Sequence, residues 1–203
     1  MISHKHKFIF IHIPKCGGTS IEKFFNSKIS DYRKHDTLGM ILNQNVETEN
    51  YFKFSIVRNP FDVTVSMYNY LWNSEYKWPV LWRKKNKEFA KLNFRQWVTH
   101  RYFKTPTIHS VSVAKDGGSN PSFLSFFSTK SKRFDMDFIG RFENLQQDFN
   151  IICDKIGIPQ QQLPHENATN HKHYTEYYDD ETKQIVSEKY AKDIEYFGYE
   201  FGE

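Results

Sequence analysis

Apolar residues recur along this chain with two periods. Lys7 to Ile13 (KFIFIHI) is a short run of aromatic and β-branched residues, the pattern of a buried strand, and Pro14 ends it. Pro14 to Ser20 contains adjacent glycines and reads as a turn. From Thr19 onward Ile21, Phe24 and Phe25 fall at helical spacing. A second strand is expected over Phe52 to Val57, with Asn59 as a helix cap and Pro60 at the first helical position. Phe61, Val65, Tyr68 and Leu71 or Trp72 then make one helix face. Phe89 to Phe103 has helical spacing through Leu92, Trp97 and Val98, and residues 104–135, with Gly117-Gly118 and Pro121, read as loop. Phe138 to Gly140 predicts a third strand. Leu145, Phe149, Ile152 and Ile156 mark a helix stopped by Gly157 and Pro159. A last helix is expected from about Asp180 to Phe197, with Ile185, Tyr190 and Ile194 inward and Gly198 at its end. Alternating strands and helices predict an α/β fold with a mostly parallel sheet. No repeat or linker divides the chain, so residues 1–203 are expected to form a single domain.

Composition narrows this further. Aromatic residues make up 17% of the 203, too many for a disordered chain. The net charge of +4 suits an anionic ligand, but Lys84-Lys85-Asn86-Lys87 and Lys130-Ser131-Lys132-Arg133 read as solvated loops, so no nucleic-acid partner is expected. Cys16 and Cys153 make neither a disulfide framework nor a metal site. The apolar run Phe8 to Ile11 is far too short to cross a membrane, which points to a soluble, cytoplasmic protein. Asn167-Ala168-Thr169 matches a glycosylation acceptor by chance on this view.

Two constellations carry candidate chemistry. Pro14-Lys15-Cys16-Gly17-Gly18-Thr19-Ser20 lies between a strand and a helix. Its glycines allow close backbone approach, the helix start offers N–H groups, Thr19 and Ser20 supply hydroxyls and Lys15 a mobile cation. This set fits a phosphate or phosphosulfate. The lysine precedes the glycines, unlike the Walker loop G-x-x-x-x-G-K-[ST]. A plain strand-to-helix turn with a surface lysine is the competing reading. The second constellation, Arg58-Asn59-Pro60-Phe61-Asp62 with Ser66 two turns into the helix, follows the second strand. An arginine at the carboxyl end of a parallel strand faces the usual ligand crevice of α/β proteins, and its fork suits a terminal phosphate. An Arg58–Asp62 ion pair at a helix end is the alternative.

Taken together and in this order, the two constellations resemble the sulfotransferases that use 3′-phosphoadenosine 5′-phosphosulfate (PAPS), specifically the carbohydrate branch with a P-K-[TC]-[AG]-G-T-S loop. Its 3′-phosphate motif, R-[ND]-P-[FW]-[DE]-x-x-[VI]-S-x-Y, appears as Arg58 to Tyr68. Asp137 to Leu145 (DFIGRFENL), Leu163-Pro164-His165 and Phe197-Gly198-Tyr199 also match. The resemblance implies a P-loop-like three-layer fold with helices flanking a mostly parallel central sheet. It implies that Lys15, Cys16, Gly17, Gly18, Thr19 and Ser20 surround the 5′-phosphosulfate of PAPS, and that Arg58 and Ser66 hold its 3′-phosphate. Lys172, in a loop that covers the nucleotide in related enzymes, becomes a further donor contact. Val63-Thr64 stands where the family often carries an arginine, and residues 105–135 do not match the family's acceptor side.

Sulfuryl transfer to an alcohol needs in-line placement, stabilisation of the leaving oxygen and a base. Lys15 and the loop N–H groups suit the second task, and no metal is required. His35, where related enzymes place a histidine facing the sulfuryl group, is the expected base. His109 and Glu22 are other candidates, and His12 reads as a packed strand histidine. The expected acceptor is a hydroxyl, first a saccharide, with Trp72, Tyr76, Trp78, Trp82 and Trp97 as possible sugar-stacking surfaces. A P-loop nucleotide kinase and a catalytically silent binder of 3′-phosphoadenosine 5′-phosphate (PAP) or an anionic glycan are the competing functions.

Overall fold

The computed structural model describes residues 1–26, 35–73, 75, 77–85, 87, 91–100, 103, 122–129, 134–164 and 172–203. Its elements in chain order are β1 (Ile2–Ser3), β2 (Phe8–Ile11), α1 (Gly18–Phe24), α2 (Leu38–Gln44), β3 (Phe52–Val57), α3 (Pro60–Asn73), α4 (Lys77–Lys85), α5 (Phe94–Thr99), α6 (Phe123–Phe126), β4 (Phe138–Arg141), α7 (Leu145–Ile156), α8 (Asp180–Lys189) and α9 (Ala191–Phe197). Short 3₁₀ turns occupy Val46–Thr48, Phe142–Asn144 and Tyr174–Tyr177. The chain forms two compact units. One takes Met1–Arg58 and His109–Asn167, the other Asn59–Ile108 and Ala168–Glu203.

The first unit holds the sheet, in the order β1-β2-β3-β4. β1 lies antiparallel to β2, and β2, β3 and β4 run parallel. All of β2 and nearly all of β3 are buried, as parallel strands covered on both faces must be. The register sets Phe10 opposite Phe54 and Ile56 opposite Gly140. Aromatic rings fill the space between strands and helices: Phe10 stacks on Phe54 at 5.0 Å, and Phe24 of α1 meets Phe149 of α7 edge to face at 4.8 Å. Ser55 Oγ donates to the Ile11 carbonyl at 2.7 Å, so this polar residue of β3 is satisfied inside the sheet. β2, β3, β4 and α7 stand where periodicity places them; β1 is an addition to them. α2 and α6 arise in stretches without a long apolar repeat; caps start them, with Thr37 Oγ1 accepting from Met40 N and Ser122 Oγ from Leu124 N.

The second unit is helical among its described residues. Asn59 caps α3 as expected, its side chain accepting from Phe61 N at 3.0 Å and its carbonyl from Val63 N. α3 buries more than one face, with Val63, Thr64, Ser66 and Asn69 inside alongside Phe61, Val65 and Leu71. The helix expected over Phe89 to Phe103 begins only at Phe94. The Asn93 side chain accepts from Gln96 N while the Gln96 side chain accepts from Asn93 N, and this capping box defines the start. The last helix divides at Tyr190 into α8 and α9, and its inward residues are Thr182, Val186, Tyr190 and Asp193 rather than Ile185 and Ile194. α8 opens on a second capping box, between Asp179 and Thr182.

Candidate functional site

In the first unit the turn from β2 into α1 is built on left-handed backbone. Lys15 has φ 65° and Gly17 φ 78°, the latter as the helix N-cap. A side chain on Gly17 would be strained by that angle and would stand 3.0 Å from both Leu145 and Phe142. Gly18 is required for another reason: a Cβ there would lie 2.4–2.7 Å from the ring of His12. The two glycines therefore serve separate ends, one conformational and one steric. Cys16 is buried, with its thiol directed at the Pro14 carbonyl, 3.6 Å away. Ser20 is buried in the first turn of α1, and Thr19 is partly exposed.

Arg58, at the carboxyl end of β3, reaches this turn directly. Its Nη1 donates to the Lys15 carbonyl at 3.0 Å, and its guanidinium lies over the Phe142 ring at 3.9 Å. Phe142 thus touches both the guanidinium and the space beside Gly17. Phe142 lies in the segment Asp137 to Leu145, which begins at β4 and matches the family in sequence, but spacing gave no sign of this contact.

His35 also joins the cluster. Its Nδ1–H donates to the His12 carbonyl at 2.9 Å, and the two imidazoles meet edge to face at 4.7 Å. A carbonyl only accepts, so the hydrogen sits on Nδ1 and the basic nitrogen of the neutral ring is Nε2. His12 is buried on the residue after β2, and its Nδ1–H donates to Glu22 Oε1 of α1 at 2.6 Å. Sequence reasoning treated His12 and Glu22 separately; the structure makes them a pair. With its carboxylate committed to His12 and only 6% exposed, Glu22 is poorly disposed to take a substrate proton.

Ser66 and Lys172 lie in the second unit. Ser66 is buried on the second turn of α3. Lys172 is exposed, with Nζ 3.6 Å from Glu176 Oε2. His109, Asn167 and Thr169 lie outside the described residues, as do Tyr76 and the side chains of Trp78 and Trp82. Trp97 is core, packed on Trp72, Tyr68 and Phe103, which removes it as a sugar platform. Among the described residues no group of three or more His, Cys, Asp or Glu could hold a metal ion, and no helix is long and apolar enough to cross a membrane.

The model of the sulfotransferase family matches residues 1–200. No curated protein matches the chain in sequence. Among solved structures, the fold is similar to that of the mouse sulfotransferase SULT7A1, crystallised in complex with PAP. The TM-score is 0.54 at 13% sequence identity, over 95% of this chain and 86% of that one.

Proposed function

The chain belongs to the sulfotransferase family, and from that premise we propose that it moves a sulfuryl group from PAPS to a hydroxyl acceptor, most readily a saccharide, as a single domain spanning residues 1–203. One observation carries the reading. The arginine that ends β3 donates to the carbonyl of the lysine in the turn after β2, so the two anion-binding constellations meet at the carboxyl ends of adjacent parallel strands. That is where open α/β sheets bind ligands.

On this reading the N–H groups of the turn, Thr19, Ser20 and the Lys15 ammonium receive the phosphosulfate, and Arg58, with Ser66, receives the 3′-phosphate. The Cys16 thiol fills space beneath the turn. Lys172 covers the nucleotide from the loop preceding Tyr174. The acceptor oxygen attacks sulfur, a new O–S bond forms, and the bond from sulfur to the phosphate oxygen breaks. Lys15 neutralises charge gathering on that departing oxygen. The acceptor proton passes to His35 Nε2, whose basicity the Nδ1–H bond to His12 maintains. A nucleotide kinase is disfavoured by the position of Lys15 before the glycines.

Transfer of labelled sulfate from PAPS to a panel of saccharide, lipid and peptide acceptors tests this directly. Arg58→Ala should weaken PAP binding by about 1.5–3 kcal/mol in calorimetry. Lys15→Ala should lower turnover far more than PAP affinity, because its charge acts in the transition state. His35→Ala should lower turnover by roughly two to four orders of magnitude with PAP affinity intact. PAP binding without transfer to any acceptor would replace the enzyme reading by a silent nucleotide binder.

A further inference from the structure

We infer that Glu22 is a positioning residue for the sulfuryl transfer, acting on the base His35 through His12; the inference rests on His35 being that base.

Burying a carboxylate beside an imidazole is costly unless the two satisfy each other. Here they do, with Nδ1 and Oε1 2.6 Å apart and neither residue more than 6% exposed. A fully apolar pair would fill the same space between β2 and α1 without that requirement, so the pair calls for an explanation beyond packing. His12 supplies one, because contacts from Glu22, Phe10, Gly18 and His35 meet on it. Its ring is fixed by Glu22. The same ring lies where a Cβ on Gly18 would stand, which ties it to the first residue of α1. Its backbone carbonyl and its ring edge are what His35 rests on, through the 2.9 Å hydrogen bond and the 4.7 Å edge-to-face contact. His35 itself has no regular element to hold it, since α2 begins three residues later.

The orientation of His35 Nε2 therefore depends on the His12 ring, and the His12 ring depends on Glu22. Without the carboxylate, the His12 ring keeps its stacking on Phe10 but loses its hydrogen-bonded anchor, and the edge-to-face contact with His35 is weakened. The turn from Pro14 to Ser20 keeps its hydrogen bond from Arg58. The consequence should be felt in proton transfer more than in nucleotide binding.

A double-mutant cycle on the full chain separates this from a general packing role. Glu22→Gln should lower kcat by about ten- to a hundredfold, the usual cost of removing a carboxylate that orients a functional histidine. PAP affinity should stay within about twofold. In the His35→Ala background the same Glu22→Gln change should cost no further activity, because the group it positions is gone. His12→Asn keeps a donor for Glu22 and removes the ring that His35 packs on, so it should reproduce the kcat loss. Glu22→Gln with normal kcat, or a loss that adds fully to that of His35→Ala, would overturn the proposal, as would failure of both Glu22→Gln and His12→Asn to fold and bind PAP. A His35→Ala enzyme with near-normal turnover would instead overturn the assignment of the base on which the proposal rests.

Discussion

Lys189 shows how one residue's surroundings set a measurable property. Its ammonium lies over the Phe103 ring at 3.9 Å and donates to the Phe103 carbonyl, yet burial outweighs both and lowers its pKa to about 8 from 10.5. Between these values the unfolded chain binds more protons than the folded one, so stability rises with pH across that window. Tyr178 acts in the opposite sense. Its phenol is pushed well above 10.0, chiefly by burial, so the folded state keeps that proton and loses stability as pH rises above 10. Lys189 should contribute a rise of about 2 kcal/mol to the stability read by urea unfolding between pH 8 and 10, opposed from pH 9 by the raised thiol pKa of Cys153 and from pH 10 by Tyr178. In Lys189→Met the rise should vanish and the opposing losses remain; an unchanged rise would exclude Lys189 as its source.

At the scale of the element, the start of α1 sets helix propensity against packing. Alanine is favoured over glycine within helices by about 1 kcal/mol, so propensity alone predicts that Gly18→Ala is stabilising. The geometry predicts the reverse, because the new methyl would lie 2.4 Å from a His12 ring that Glu22 prevents from retreating. Thermal unfolding should show Gly18→Ala destabilised by about 1–3 kcal/mol, the usual range for overpacking a tight site, with weaker PAP binding as the turn is displaced. A stabilised Gly18→Ala variant would mean that the ring yields. Such conflicts are invisible to periodicity. Within the stretch Phe89 to Phe103 the start of α5 was likewise decided by side chains at its end, the Asn93 and Gln96 box.

At the scale of the whole molecule, each compact unit draws on two separate stretches of chain, and the last residues show why this matters. Within the second unit, the Glu200 carbonyl accepts from Asn59 Nδ2 at 2.8 Å, and the Phe201 ring packs on Phe61, Tyr174 and Tyr178 with centroids 5.1–5.7 Å apart. The start of α3 is thereby held by chain 141 residues away. Phe201→Ala should lower stability by about 2 kcal/mol, less than a fully buried phenylalanine because this one is partly exposed. Differential scanning calorimetry would read the change, and an unchanged melting temperature would show that the segment is only draped over Phe61.

What the sequence by itself determined about this protein is what depends on near neighbours. The buried run Phe8 to Ile11, the turn Pro14 to Ser20, the strand Phe52 to Val57 and the Asn59-Pro60 cap all rest on interactions within a few residues, so their residue types declare them. The sulfotransferase character was legible for the same reason, since its motifs are contiguous turns at strand ends. Only the tertiary structure decided which side chains meet. The Arg58 bond to the Lys15 carbonyl spans 43 residues, the His35 bond to the His12 carbonyl 23, and the His12–Glu22 pair joins the end of a strand to a helix. Each depends on strand register and helix placement, set by the whole core, and local spacing carries no record of either.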